Sequence, residues 1–158
     1  MTSAFHDELR ARLEGAYAHA SVSHGMLVLE LARGQLLGVV DRLKGEFGFS
    51  LFLDVTAIDW LGRREPRFEA VYHFLCPARM QRVRLKVPLA EDALVLPTLV
   101  GRYGSARYME REVHEMYGIG FEGNPDLRPI LLYEGFEGHP LRKDYPMDLE
   151  QPIVPYRR

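Results

Sequence analysis

Apolar residues recur first at helical spacing and then at strand spacing. Phe5, Leu9 and Leu13 follow one another at four-residue intervals among charged residues, which predicts an amphipathic helix. Two strand-like runs follow, over 18–22 and 26–31, and a short turn separates them. The chain is therefore expected to begin with a helix and a β-hairpin.

The middle of the chain predicts a second helix and three more strands. Apolar residues over 34–48 return to a helical stripe, which we expect to lie across a sheet. Strands are predicted over 50–61, 68–75 and 82–87. In the last of these, valine or leucine alternates with arginine or lysine, so one face is expected to be buried and the other solvated.

Two further helical regions complete the predicted body. The first covers 91–103, with interruptions at Pro97 and Gly101, and the second covers 106–117. The order of elements lacks the regular strand–helix alternation of parallel sheets. We therefore predict an α+β fold, with an antiparallel or mixed sheet and helices packed on one face.

The composition changes after residue 120. Six of the ten prolines fall within 121–158, which disfavours long helices and central strands there. The same stretch is too rich in large apolar side chains for a solvated tail. We predict an α+β body over 1–120 and an extended, proline-rich C-terminal segment over 121–158 that packs on its own body or on a partner.

Composition narrows the classes of function. The 158 residues carry a net charge of -2, which gives no general basic field for a polyanion. The single cysteine, Cys76, excludes an internal disulfide and the usual four-thiolate ligation of an iron–sulfur cluster by this chain alone. The opening residues resemble no signal peptide and no run is long enough to cross a bilayer, so we expect a cytoplasmic location or one on the cytoplasmic side of a membrane.

Two motif-like strings lack the context that their chemistry requires. Residues 118–123 match the glycine pattern of dinucleotide-binding loops, but they follow a predicted helix, so Gly118 is interpreted as a helix cap and the rest as turn. His114-Glu115 lacks the second histidine of a zinc helix. Instead, Glu110 with His114 and Arg111 with Glu115 suit a network of i,i+4 pairs on a solvated or subunit-facing side.

The remaining candidates favour structure over catalysis. Cys76 is expected to be a small buried side chain. Asp54, Asp59 and Glu69 are spread over strands and specify no acid–base pair. Arg63 and Arg64 are expected to form an exposed turn pair of little value to stability.

Two blocks near the C-terminus resemble a known family. Residues 110–128 and 138–146 are similar to the signature of the C-subunit family of NADH:quinone oxidoreductase, respiratory complex I. The family pattern usually has an aromatic residue, aspartate and histidine where this chain has His114, Glu115 and Asn124.

The resemblance implies a structural subunit of a proton-translocating complex. Such a protein carries no cofactor, no metal and no catalytic residue, while FMN and iron–sulfur clusters belong to partner subunits. It packs with subunits D, B and I in the peripheral arm, on the cytoplasmic side of the bacterial inner membrane. The chain length implies the stand-alone form, without fusion to the D subunit.

The resemblance also implies a set of interface residues. Three of them, on the predicted last helix, would fix that helix against the start of the C-terminal segment, and charged residues of the segment would contact the segment itself or other subunits. The set comprises Glu110, Arg111, Glu112, Asp126, Arg128, Leu141, Arg142, Lys143, Asp144, Tyr145 and Pro146.

Two alternatives remain open from the sequence. One is the equivalent subunit of a membrane-bound [NiFe] hydrogenase or of a photosynthetic or F420-linked dehydrogenase, which resembles the same blocks. The more distant one is a sheet-based RNA-binding module, because Arg82, Arg84 and Lys86 lie near aromatic residues in the sequence.

Overall fold

The computed structural model describes residues 4–151, and within this range it contains three α-helices and seven strands. The helices are α1 (Ala4–Arg12), α2 (Leu36–Phe47) and α3 (Ala106–Tyr117), and the strands are β1 (His19–Ser23), β2 (Met26–Glu30), β3 (Leu51–Asp59), β4 (Phe68–Cys76), β5 (Gln81–Leu89), β6 (Val95–Pro97) and β7 (Gly120–Glu122). Short 3₁₀ turns lie at Arg33–Gln35, Pro77–Arg79 and Glu91–Ala93.

Five of the strands form one mixed sheet in the order β1-β2-β5-β4-β3. The pairing of β2 with β5 is parallel, and the other three pairings are antiparallel. The predicted hairpin is present as β1 and β2, and the three other predicted strands are present as β3, β4 and β5. This sheet, together with the helices, confirms the predicted α+β class.

The register of the sheet separates an apolar face from a polar one. Leu85 on β5 lies opposite Leu29 on β2 and Tyr72 on β4, and all three side chains are fully buried. Leu9 of α1, Val40 of α2 and side chains of α3 belong to the same hydrophobic cluster. The three helices therefore bury their apolar stripes against one face, because each face of a strand receives every second residue.

Two helices end at a glycine in the left-handed conformation. Gly48 follows α2 with φ 75°, and Gly118 follows α3 with φ 76°. Glycine suits both positions because it has no Cβ to clash with the backbone there. The interpretation of Gly118 as a helix cap is confirmed.

The helix predicted over 91–103 is wrong. After the turn Glu91–Ala93 the chain forms strand β6, which pairs in parallel with β7. Pro97 suits the end of a short strand because proline cannot donate an amide to a helix or to a central ladder. Leu96 and Phe121, paired across the two strands, are buried, so residues 120–122 are strand where turn was expected.

Candidate docking site on the C-terminal segment

The side of α3 holds the C-terminal segment by its backbone. Arg111 donates from Nε to the carbonyl oxygen of Arg128 (2.7 Å) and from Nη2 to that of Pro129 (2.8 Å). One turn further on, the carboxylate of Glu115 accepts the amides of the next three residues, Ile130, Leu131 and Leu132, at 3.0, 2.9 and 3.2 Å. Charged partners make these hydrogen bonds stronger than neutral ones.

The C-terminal end of α3 is capped by the same segment. The last carbonyl groups of a helix have no partner within the helix. Here the carbonyl oxygens of Glu115, Met116 and Tyr117 accept from His139 Nδ1 (2.9 Å), the Leu141 amide (3.2 Å) and Arg142 Nε (2.7 Å) in turn. The Arg142 guanidinium also suits the partial negative charge at this helix end.

Gly118 makes the approach of the segment possible. A Cβ at this position would lie 2.5 Å from Arg142 Nη2 and 2.6 Å from His139 Nε2. Any other residue would therefore displace the side chains that reach the helix end, in addition to the strain of a positive φ.

A buried arginine fixes the following residues. Arg67 binds both oxygens of Asp59, at 3.0 and 2.9 Å, and reaches Asp144 at 2.9 Å. Asp59 also accepts the amide of Lys143 at 2.8 Å. Burial alone would raise the pKa of Asp59, but the hydrogen bonds from Arg67 and from the amides of Lys143 and Leu61 outweigh it and lower that pKa to about 2.

The start of the segment is tied to the body through Glu110. This fully buried carboxylate accepts from the Leu99 amide (2.7 Å), Thr98 Oγ1 (2.6 Å) and Asn124 Nδ2 (2.8 Å). Burial raises the pKa of Glu110, and these hydrogen bonds offset part of the rise. Burial and the nearby Glu110 raise the pKa of the Tyr72 hydroxyl as well.

The segment also closes on itself. Arg128 binds both oxygens of Asp126 at 2.9 Å. Tyr145 stacks on Phe136 with ring centroids 6.1 Å apart, and its hydroxyl accepts from Gln151 Nε2 at 2.8 Å. These contacts give residues 128–151, which we name the C-terminal platform, a defined path without helix or strand.

Large apolar side chains are exposed on this platform. Ile130 is 39% exposed, Leu131 63%, Leu141 49% and Leu149 51%. Several large apolar side chains exposed on one segment are typical of an interaction site, since apolar groups gain free energy when they leave water. The C-terminal platform is thus the candidate docking site.

The predicted interface residues fall into two groups. Arg111 of α3 contacts the C-terminal platform, and Arg142, Asp144 and the backbone of Lys143 contact the body, as described above. By contrast, Glu112 lies on the exposed side of α3, and Pro146 is exposed. That these residues touch other subunits stays a prediction, as does the division at residue 120, and residues 152–158 lie outside the described residues.

The predicted network of i,i+4 pairs on α3 is wrong. Glu110 faces inward to Leu99 and Thr98, and Glu115 faces the amides of the C-terminal platform, so neither carboxylate pairs along the helix. Buried carboxylates need donors at close range, and backbone amides supply them here. Spacing along a helix alone could not reveal those donors.

The expectation of an exposed arginine pair is wrong for Arg64. Its guanidinium donates to Glu69 Oε2 at 2.7 Å, and Lys86 reaches the other oxygen of the same carboxylate at 2.7 Å. Glu69 is fully buried, and each cation satisfies one oxygen of its carboxylate. Arg63 is exposed, as expected.

The same polar face of the sheet disfavours RNA binding. Arg84 donates to His73 Nε2 at 2.8 Å, and Lys86 is held by Glu69. The aromatic side chains Tyr72 and Phe74 lie on the opposite, buried face, where no base could stack. The buried position expected for Cys76 is confirmed.

Several residues of the site carry no signal in the sequence. Asp59 and Arg67 lie more than 70 positions before Lys143 and Asp144, and only the fold brings them to the C-terminal platform. Over residues 4–151, no group of three or more histidine, cysteine or acidic side chains could hold a metal ion. No helix in that range is long and apolar enough to cross a membrane.

Comparison with known proteins identifies a family that the chain matches. Residues 29–151 match the family model described as the 30 kDa subunit of respiratory-chain NADH dehydrogenase. The chain is 38% identical over 141 residues to the C subunit of NADH-quinone oxidoreductase from Trichlorobacter lovleyi, covering 89% of this chain and 87% of that protein. It is 43% identical over 141 residues to the Brucella abortus protein of the same name, covering 88% and 69%.

Solved structures agree with this match. A trypsin-resistant fragment of Nqo5 superposes with a TM-score of 0.66 at 32% identity, covering 77% of this chain and 95% of that one. A chain of the membrane-bound sulfane sulfur reductase, an archaeal respiratory membrane complex, gives a TM-score of 0.75 at 27% identity, covering 89% and 83%. A similar fold therefore also occurs in an archaeal respiratory membrane complex.

Proposed function

Because the chain belongs to the family of the 30 kDa subunit of respiratory-chain NADH dehydrogenase, we propose that it is a structural subunit of an NADH:quinone oxidoreductase. In this role it binds no cofactor and contributes no catalytic residue. The whole complex transfers electrons from NADH to quinone, with FMN and iron–sulfur clusters in other subunits.

The observation that carries this proposal is the C-terminal platform. Its backbone is held by Arg111 and Glu115 of α3 and its own Arg142 binds the end of that helix, while Leu131 and Leu141 remain in solvent. A surface that is fixed in place loses little conformational entropy when it binds. The C-terminal platform is thus suited to contact subunits D, B and I in the peripheral arm, on the cytoplasmic side of the bacterial inner membrane.

Purification of the intact assembly tests the proposal. The full chain, tagged and expressed from its own locus, is expected to recover subunits D, B and I together with NADH:quinone reductase activity. Recovery of the tagged chain without these subunits would contradict the assignment. Arg142→Ala is expected to reduce the yield of complex, because the Tyr117 carbonyl at the helix end loses its donor.

The absence of a cofactor is tested on the purified chain alone. We expect no stoichiometric iron or nickel in metal analysis and no flavin band in the absorption spectrum after gel filtration. Iron or flavin that stays with the chain would contradict a purely structural role.

A second candidate function is the equivalent subunit of another membrane-bound respiratory complex. The similarity to a chain of the sulfane sulfur reductase favours it, because it shows that a chain of this fold also serves in a complex named for a different substrate. The same purification separates the two, since a hydrogenase or related reductase would bring a different set of subunits and would not oxidise NADH.

A further inference from the structure

Five consecutive residues of the C-terminal platform are bound through backbone atoms alone to two side chains of α3. Arg111 donates to the carbonyl oxygens of Arg128 and Pro129, and Glu115 accepts the amides of Ile130, Leu131 and Leu132. None of these five hydrogen bonds uses the side chain of Ile130 or Leu131. The path of the chain is therefore set independently of what those two side chains do.

This arrangement leaves the side chains of Ile130 and Leu131 exposed to solvent. Ile130 is 39% exposed and Leu131 is 63% exposed, although their backbone amides are engaged. Next to them lies a groove of about 640 Å³ lined by residues that include Arg111, Pro129 and Leu132. A partner could therefore both receive the two apolar side chains and place one of its own in the groove.

The charge around this surface selects the kind of partner. The C-terminal platform contains five acidic side chains and three basic ones. Arg128 is paired with Asp126, and Arg142 donates to the Tyr117 carbonyl, whereas Lys143, Glu134, Glu137 and Glu150 are exposed. The platform that carries the apolar surface is thus net acidic.

The net negative charge of the platform disfavours two other occupants. A second copy of the chain in a symmetric contact would bring two acidic platforms together, and an anionic bilayer would repel the platform. A protein with lysine or arginine around an apolar pocket has the complementary charge.

We propose that Ile130 and Leu131 form the centre of a contact with a neighbouring protein subunit that offers an apolar pocket bordered by lysine or arginine. Arg111 and Glu115 are the positioning residues that present them. This inference rests on the proposed function, since the partner is a subunit of the same complex.

The first test removes the two apolar side chains and keeps their backbone. The double variant Ile130→Ser/Leu131→Ser is compared with Met80→Ser, which removes a 76% exposed apolar side chain in the turn between β4 and β5. We expect the double variant to lower recovery of subunits D, B and I by tagged full chain by about tenfold or more, and Met80→Ser to leave it unchanged. Both purified chains are expected to melt like the wild type.

The outcomes distinguish this inference from the proposed function. If the wild-type chain fails to recover the subunits, the proposed function fails. If the wild type succeeds and the double serine variant recovers them equally well, only the inference is overturned. Sedimentation of the purified chain as a dimer that the double variant dissociates would assign the surface to a second copy and overturn it too.

The positioning role of Glu115 needs a readout besides assembly. Hydrogen exchange of the amides of 130–132 in the full chain is expected to accelerate in Glu115→Gln, because an uncharged amide oxygen replaces the carboxylate that holds all three. The double serine variant should leave this exchange unchanged while it weakens assembly. Unchanged exchange in Glu115→Gln would contradict the positioning role.

The basic border of the partner is tested by salt. Glu134→Gln/Glu137→Gln is expected to slow association with the complex that lacks this chain and to weaken its dependence on ionic strength, because complementary charge acts mainly on the association rate. Equal rates and equal salt dependence for this variant and the wild type would exclude a basic border.

Discussion

The five-stranded sheet and the C-terminal platform are held together by different kinds of interaction. In the sheet, Leu85 is buried between Leu29 and Tyr72, and the backbone bonds are those of the strand ladders. In the platform, Leu131 and Leu141 remain exposed, and charged side chains of the body hold the backbone. Burial stabilises the first region, and charge-assisted hydrogen bonds fix the second.

This difference separates stability from recognition within one chain. A buried side chain of the sheet cannot change without affecting the core, since interiors are closely packed. Exposed apolar side chains such as Leu131 can change without such a cost, because Arg111 and Glu115 hold the segment there by its backbone. The anchors that lie between the two regions are the places where this separation can be broken.

The largest effect is expected at Glu110, which joins the body to the start of the C-terminal segment. Glu110→Ala leaves the Leu99 amide, Thr98 and Asn124 without their acceptor in a buried site. We expect a loss of about 3–5 kcal/mol in the free energy of unfolding, measured by urea titration. Glu112→Ala, on the exposed side of the same helix, is the control and should change little. Equal effects of the two variants would show that the buried anchor is unimportant.

A pair of glycines sharpens the comparison further. Gly48→Ala and Gly118→Ala place the same methyl group at a helix end with nearly the same φ, but the nearest atom is 3.6 Å away at Gly48 and 2.5 Å away at Gly118. We expect about 1 kcal/mol of destabilisation at Gly48 and about 2–3 kcal/mol at Gly118. Gly118→Ala should also accelerate proteolysis of the C-terminal platform, whereas Gly48→Ala should not. The same cleavage rate in both variants would argue that the platform is held independently of this contact.

Acid is expected to weaken the anchor at Asp59. Its pKa is about 2 in the folded protein against an ordinary value of 3.8, so its contribution to stability is present above pH 4 and is lost as the pH falls from 4 to 2. That difference corresponds to about 2 kcal/mol. Urea titrations from pH 7 to pH 2 should show a correspondingly flatter acid slope for Asp59→Asn than for the wild type. A matched variant, Asp41→Asn, removes an exposed partner of Arg102 and should alter the slope less.

Most of the body could be predicted from the sequence, because the apolar residues that form the periodic pattern are the ones that the fold buries. The alternation along β5 and the stripes of α1, α2 and α3 were sufficient to predict these elements. Over 91–103, the apolar residues and the proline among them are compatible with a helix. The strand found there depends on the pairing of β6 with β7, which joins residues about 25 positions apart, so the local pattern could not predict it.

The anchors of the candidate site could be predicted only in part. The family resemblance implies a role for Arg111, Arg142 and Asp144. Sequence patterns predict no such role for Asp59 or Arg67, and i,i+4 spacing predicts the wrong partner for Glu115. A charged residue has many compatible partners in a sequence, and only the fold decides which backbone groups come within hydrogen-bonding distance. The C-terminal platform is therefore the region that sequence patterns describe least.

The smallest expected effect distinguishes two neighbouring arginines. Arg64 donates to Glu69, a fully buried carboxylate that Lys86 also contacts, whereas Arg63 is exposed. Arg64→Ala leaves Glu69 with one cation, and we expect a loss of about 1–2 kcal/mol in the free energy of unfolding. Arg63→Ala should change it by less than about 0.5 kcal/mol. Both values come from urea titration at neutral pH. Restoration of stability by Glu69→Gln in the Arg64→Ala background would confirm that the cost is the uncompensated buried charge, and equal effects of the two alanine variants would exclude it.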